Sequence, residues 1–211
     1  MSHAAVEGHH GAPRRLLFLP GAGADPDFWR PLGSRLPSDW DKIYFGWPGL
    51  GHQPPSPMVG SFDSLVAMVV AELGDTPVDL LAQSMGGAIA LRVALDHPHR
   101  VRRLVLAVTA GGLDLAALGG ADWRPSYQLE YPNAQAWIIN ARPNYADELA
   151  GVQHPTLLLW GDADPISPLA VGERLHELLP QSHLLVVTGG NHGFVHERPS
   201  DIIDAIAAHL R

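Results

Sequence analysis

The chain has 211 residues, enough for one domain with a sizeable core, and its 46% hydrophobic and 17% charged residues describe a folded globular protein, not a disordered one. A formal net charge of -8 argues against nucleic acid or an anionic membrane as the partner. The absence of cysteine excludes disulfides, thiolate catalysis and cysteine-ligated metal, and no apolar run reaches the roughly 20 residues that span a bilayer.

Residues 1–13 read as a flexible tail. It lacks the apolar centre of a secretory signal, so a cytoplasmic location is the default expectation. Its histidines, His3, His9 and His10, have no carboxylate pattern around them and are not read as a metal site. Residues 14–211 read as a single domain. Arg14–Leu19 is the first predicted strand, apolar without alternation, as in a parallel sheet covered on both faces. It runs into Pro20-Gly21-Ala22-Gly23-Ala24, a loop whose glycines permit close backbone approach. A helix is predicted from Asp27 to about Leu36, then a strand over Lys42–Phe45 and a stiff glycine- and proline-rich loop from Gly46 to Pro55.

Ser61 suits the N-cap of a helix over Phe62–Leu73, where Phe62, Leu65, Val66, Val69, Val70 and Leu73 recur at helical spacing. A strand over Val78–Ala82, a helix through Leu95 and a strand over Val101–Val108 come next. Residues 109–153 break the rhythm with glycines, prolines and the aromatics Trp123, Tyr127, Tyr131, Trp137 and Tyr145. Either a small cap over a cleft or a helix pair on the sheet edge would fit this insertion. The rhythm resumes with a strand over Thr156–Trp160, a helix over Leu169–Leu179, a strand over His183–Val187 and a closing helix from Pro199 to His209. Arg14, Arg15, Arg100, Arg102 and Arg103 read as solvated strand starts. Strand and helix in alternation indicate βαβ units, hence an α/β fold of three layers with a mostly parallel sheet of about six strands.

Chemistry enters at Ala82-Gln83-Ser84-Met85-Gly86, where a buried strand turns sharply into a helix. Small residues two before and two after the serine allow such a corner, and the helix N-terminus favours a developing anion beside its hydroxyl. Two further strands end in Asp162-Ala163-Asp164 and in Asn191-His192-Gly193. In open parallel sheets ligands bind at that edge. The order Ser, Asp, His is that of one of the known serine triads.

Over nearly its whole length the chain resembles the serine α/β-hydrolase superfamily. Leu19-Pro20-Gly21-Ala22-Gly23 with Phe28-Trp29 is similar to its oxyanion segment, and Trp47-Pro48-Gly49-Leu50-Gly51 to its proline–glycine loop. Leu158 to Pro168 is similar to its acid loop, and Asn191 to Pro199 to its histidine loop. The resemblance implies Ser84 as nucleophile, His192 as general base and Asp164 as its orienting acid, with Asp162 the fallback and Asp114 a third choice. It implies an oxyanion hole from the amides of Ala22 and Met85, no cofactor, no metal, and a small-molecule acyl substrate, an ester or thioester, cleaved through an acyl-enzyme. The departures are Ala82 for the usual glycine, Pro20 for histidine, and Gly46 and Gln53 for aspartate and serine. An early first strand and a short insertion suggest a reduced version of the fold, without the usual N-terminal pair of strands. Carbon–carbon hydrolysis and cofactor-free peroxidase chemistry belong to the same serine branch, and a binding protein with little turnover is the reading from another class. His52 and His196 read as structural or rim residues.

Overall fold

The computed structural model describes residues 14–211; the tail and its three histidines lie outside the described residues. Its six strands are β1 (Arg15–Leu19), β2 (Asp41–Tyr44), β3 (Val78–Gln83), β4 (Val101–Ala107), β5 (Thr156–Gly161) and β6 (Ser182–Val187). They form one sheet in the order β2-β1-β3-β4-β5-β6, with every neighbouring pair parallel. Every residue of β3 and β5 is buried, as is all of β1 after Arg15, whereas the edge strands β2 and β6 are partly open. Unbroken apolar sequence and burial on both faces thus coincide.

The helices are α1 (Arg30–Gly33), α2 (Phe62–Ala71), α3 (Met85–Asp96), α4 (Arg124–Glu130), α5 (Trp137–Asn140), α6 (Leu169–Leu178), α7 (Phe194–Glu197) and α8 (Ile203–His209). Ser61 caps α2 with a reciprocal capping box: its side chain accepts from the Ser64 amide, and the Ser64 hydroxyl accepts from the Ser61 amide. Two helices are shorter than their sequence pattern. The first shrinks to α1 because the residues ahead of it close i→i+3 turns, Phe28 N to Asp25 O and Arg30 N to Asp27 O, in place of helical bonds. The closing helix divides into a 3-10 turn (Pro199–Asp201) and α8, separated by Ile202 at φ -126°. No helix among the described residues is long and apolar enough to cross a membrane.

Four of the five arginines at the strand starts, Arg14, Arg15, Arg100 and Arg102, form ion pairs or backbone contacts where solvated ends were expected. Asp79 is fully buried in β3, and a buried carboxylate needs compensating donors. Arg102 forks it through Nε at 2.8 Å and Nη2 at 2.5 Å. The register explains how: Val78 pairs with Val101 and Asp79 with Arg103, so Arg102 is the extra residue of a bulge. Arg14 lies 3.6 Å from the same carboxylate and stacks on Trp40, Arg15 pairs with Asp41 and Glu72, and Arg100 donates to the Leu73 and Gly74 carbonyls.

From β1, one strand in from the edge, the chain steps out to β2 on one side, then returns to β3 on the other. That reversal places the loops after β1 and β3 side by side at the C-terminal edge, where a crevice opens. The insertion reaches across these strand ends: the Tyr127 hydroxyl bonds the loops after β1 and β2, and the Gln135 amide donates to Gly49 O at 2.9 Å.

Candidate active site

Ser84 occupies the corner between β3 and α3 at φ 52°, ψ -121°, a conformation strained for any residue with a side chain. The corner is pinned from several sides. The Ser84 amide continues the ladder to Ala107 O, and its carbonyl accepts from the Gly87 amide at 3.0 Å and the Thr109 hydroxyl at 2.5 Å. Gly86 permits a close approach to β1. A Cβ there would lie 2.5 Å from Leu19 O and 2.6 Å from Pro20 O, so α3 can start against β1 only because this residue is glycine. Ala82, where glycine is more usual, is fully buried in the strand.

Three loops from separate strands bring Ser84, His192 and Asp164 together. His192 Nε2 stands 3.0 Å from Ser84 Oγ, and His192 Nδ1 stands 2.7 Å from Asp164 Oδ2. The Asp164 side chain is wholly buried and its other oxygen accepts from the Ile166 and Ser167 amides at 2.8 and 3.1 Å. With those donors the carboxylate is compensated while ionised, and its free oxygen is aimed at Nδ1. That contact makes Nδ1–H the donor and leaves Nε2 as acceptor toward the serine. Asp162 and Asp114 take no part: Asp162 accepts from the Gly189 amide at 2.6 Å, and Asp114 from the Ala116 amide at 3.0 Å. His196 Nδ1 bonds Phe28 O, and His52 packs edge-on against Tyr131.

Ala22 and Met85, whose amides are the candidate oxyanion donors, both border the cleft that holds Ser84 and His192. Neither donates to an acceptor among the described residues. Met85 is the first residue of α3, where the helix leaves its amides unpaired and partly positive. The start of the loop after β1 is held by two indole side chains: Trp29 Nε1 donates to Leu19 O at 3.1 Å and Trp47 Nε1 to Pro20 O at 2.9 Å. The two indoles thus hold the peptides on both sides of Pro20, just ahead of Ala22.

The cleft measures about 1550 Å³ and is lined from the insertion as well as from the strand ends, with Phe28, Met85, Leu113, Trp123, Tyr131 and Ile166 among its apolar walls. Ala24, Ser84 and Val108 are the three non-glycine residues with positive φ among the described residues, and all three border it. Backbone strain is concentrated where β1, β3 and β4 empty into the cleft. A separate cavity of about 240 Å³ lies within the insertion, sharing Tyr127, Tyr131 and Ile138 as walls. Among the described residues no three His, Asp or Glu side chains gather as a metal site.

Two residues without a role in the sequence reading serve this geometry. Gln83 Nε2 donates to His192 O at 3.1 Å, tying the histidine loop to the strand that ends in the serine. Thr109 bonds Ser84 O and also accepts from the Gly111 amide at 3.0 Å. Each acts on a partner distant in sequence, so neither carries a local signal.

The alpha/beta hydrolase fold family matches residues 14–136, and the family described as TAP-like protein matches residues 124–211. The chain is 30% identical over 229 residues to a pimeloyl-[acyl-carrier protein] methyl ester esterase of Neisseria meningitidis serogroup C, covering 86% of this chain and 87% of the relative. That span exceeds the length of the chain itself, so the relative carries segments that this chain lacks. A poly(3-hydroxyalkanoate) depolymerase of Ectopseudomonas oleovorans is 27% identical over 83% of this chain and 77% of its own. Among solved structures, an alpha/beta hydrolase enzyme from the metagenome of lagoon sediments at Mar Chica, Morocco, superposes with a TM-score of 0.76 at 20% identity, over 94% of this chain and 90% of that one.

Proposed function

We propose that this chain, which belongs to the alpha/beta hydrolase fold family, is a carboxylic ester hydrolase that works through an acyl-enzyme on Ser84. The observation that carries the reading is the imidazole of His192 set between Ser84 Oγ at 3.0 Å and the buried Asp164 carboxylate at 2.7 Å. Ester cleavage is favoured over other serine chemistry because four relatives matched over 86% of this chain are named methyl ester esterases.

In the cycle, Ser84 Oγ attacks the acyl carbon while His192 Nε2 takes the hydroxyl proton. The carbonyl electron pair moves onto oxygen, where the amides of Ala22 and Met85 receive it. Each such donor supplies about 3 kcal/mol of transition-state stabilisation. Collapse breaks the bond to the leaving group, which departs with the proton from His192. Water then attacks the acyl carbon while His192 takes its proton; collapse breaks the bond to Oγ, and His192 returns the proton to Ser84 as the acid leaves. Asp164 stays ionised throughout and stabilises the imidazolium. A thioester can enter the same cycle. A cleft above the usual few hundred to about 1,000 Å³ for small ligands suits a long or bulky acyl group.

The test is a panel of activated esters of increasing chain length beside a matched thioester series, with an active-site serine probe. The native protein should turn over esters and take the label. Ser84→Ala should lose both, with turnover down by a factor on the order of 10⁴ or more and the fold intact by circular dichroism. A folded native protein that neither labels nor turns over any member would sink the proposal and favour a binding role.

A further inference from the structure

We infer that Tyr127, in α4 of the insertion, is a positioning residue for the oxyanion donor at Ala22. The inference rests on the acyl-enzyme reading and adds to it a part played by the insertion. The Ala22 N–H belongs to the Gly21–Ala22 peptide, whose carbonyl, Gly21 O, accepts from the Ala24 amide at 3.0 Å. The next peptide presents Ala22 O to the Tyr127 hydroxyl, also at 3.0 Å. The peptide planes on both sides of Ala22 are therefore tied, and the direction of its N–H is fixed between them. Without the tyrosine, the second plane is free to rotate about a residue followed by glycine.

The direction of the hydroxyl proton is itself determined. Tyr127 Oη accepts from the Gly51 amide at 3.1 Å, so its own proton goes to Ala22 O. Burial pushes the phenol pKa up, which keeps that proton on the ring. The ring has little freedom, being only 7% exposed, edge-on to Trp123 at 5.5 Å and against Tyr131 at 4.9 Å. Gly51 backs directly onto Gly23, since a Cβ at Gly51 would collide with the Gly23 carbonyl. One hydroxyl thus locks three segments: α4, the loop after β2 and the loop that carries the donor. Among the described residues no other side chain of the insertion hydrogen-bonds the loop after β1.

Tyr127→Phe keeps the ring and removes the bond. Deleting a whole oxyanion donor costs 10²–10³ in kcat, so loosening one should lower kcat on a short activated ester about tenfold. KM should stay within about twofold, because the loss is confined to the transition state. Inhibition by an alkyl boronic acid, which adds to the serine as a tetrahedral anion, should weaken by the same factor as kcat. All rates are taken well below the melting temperature of each form. An unchanged kcat, a raised KM at constant kcat, or a lowered kcat with unaltered boronic acid inhibition would each overturn the inference. Ser84→Ala run alongside separates the two levels. If it retains turnover, the acyl-enzyme reading itself fails; if it is inactive and Tyr127→Phe is not slowed, only the role of Tyr127 fails.

Discussion

Asp162 and Asp164 leave the same strand end two residues apart, and the backbone around them divides their work. Asp164 is buried, accepts two amides on one oxygen and offers the other to His192; Asp162 is spent on the Gly189 amide, joining the loops after β5 and β6. In Asp164→Asn the amide NH₂ would face Nδ1, turning the imidazole to the tautomer that cannot accept the serine proton. We expect kcat to fall by a factor on the order of 10³–10⁴, as for the analogous change in the convergent triad of serine proteases, with the fold retained. Asp162→Asn should stay within about tenfold, since an amide oxygen can still accept the Gly189 bond. Steady-state kinetics on one activated ester decide this, and the reverse ranking would move the acid to Asp162. The sequence named both aspartates, because each sits where a strand ends. Choosing between them rested on resemblance, since burial, amide partners and the distance to His192 appear only in the folded chain. Gln83 and Tyr127 were not legible in this way: their partners, His192 O and Ala22 O, are backbone atoms of loops far along the chain.

At the scale of elements, the junction of β1, β3 and α3 sets how near the two candidate oxyanion donors can come. Ala22 follows β1 and Met85 opens α3, so the gap between these elements sets how far apart the two proposed donors stand. Gly86 is the contact point. Gly86→Ala places a methyl against Leu19 O and Pro20 O, both backbone and unable to swing aside. Overpacking of this kind costs about 1–3 kcal/mol, and the helix start should also retreat from β1 and lower kcat. Gly60→Ala is the matching control, because nothing lies within 4 Å of a Cβ there; it should stay within about 0.5 kcal/mol. Denaturant melts of both variants check the contrast, and equal losses would refute it. All six strands and the long helices were legible from apolar runs and helical spacing. The shortfalls at α1 and α8 came from turn bonds and a single dihedral, which periodicity does not record.

The whole molecule is polarised along its strands. The C-terminal edge carries the cleft and the strained backbone, while the early part of β3 and β4 carries the buried ion network of Asp79 with Arg14 and Arg102. His209, at the end of α8, packs into that second region with Nε2 on Leu104 O at 3.0 Å. Burial lowers its pKa, with Arg103 acting in the same direction and the Leu104 and Pro155 carbonyls and Asp79 opposing. A folded-state pKa below that of the unfolded chain means the unfolded state binds more protons between the two values. The stability contributed by neutral His209 is therefore complete above the ordinary histidine value of about 6.5 and is lost as pH falls through the folded value. His209→Gln keeps a donor for Leu104 O without the titration, so its melting temperature should fall less than that of the native protein between pH 8 and pH 5. Parallel declines would show that His209 does not contribute to the acid sensitivity.

The sequence by itself determined the alternation of strand and helix, the parallel sheet that follows from it, and the three strand ends that bear a serine, an acid and a histidine. These are local properties: apolar runs, small residues at a corner, polar residues just past a strand. Tertiary structure alone decided which aspartate reaches His192, which arginines are drawn onto a buried carboxylate, and where the 109–153 insertion lies. Those outcomes depend on through-space distances between segments far apart in the chain. The corner at Ser84 belongs to both levels. Its residues announce the turn, but the φ of 52° is held there by Thr109, Gly87 and the backbone of β1, none of which a reading of five residues contains.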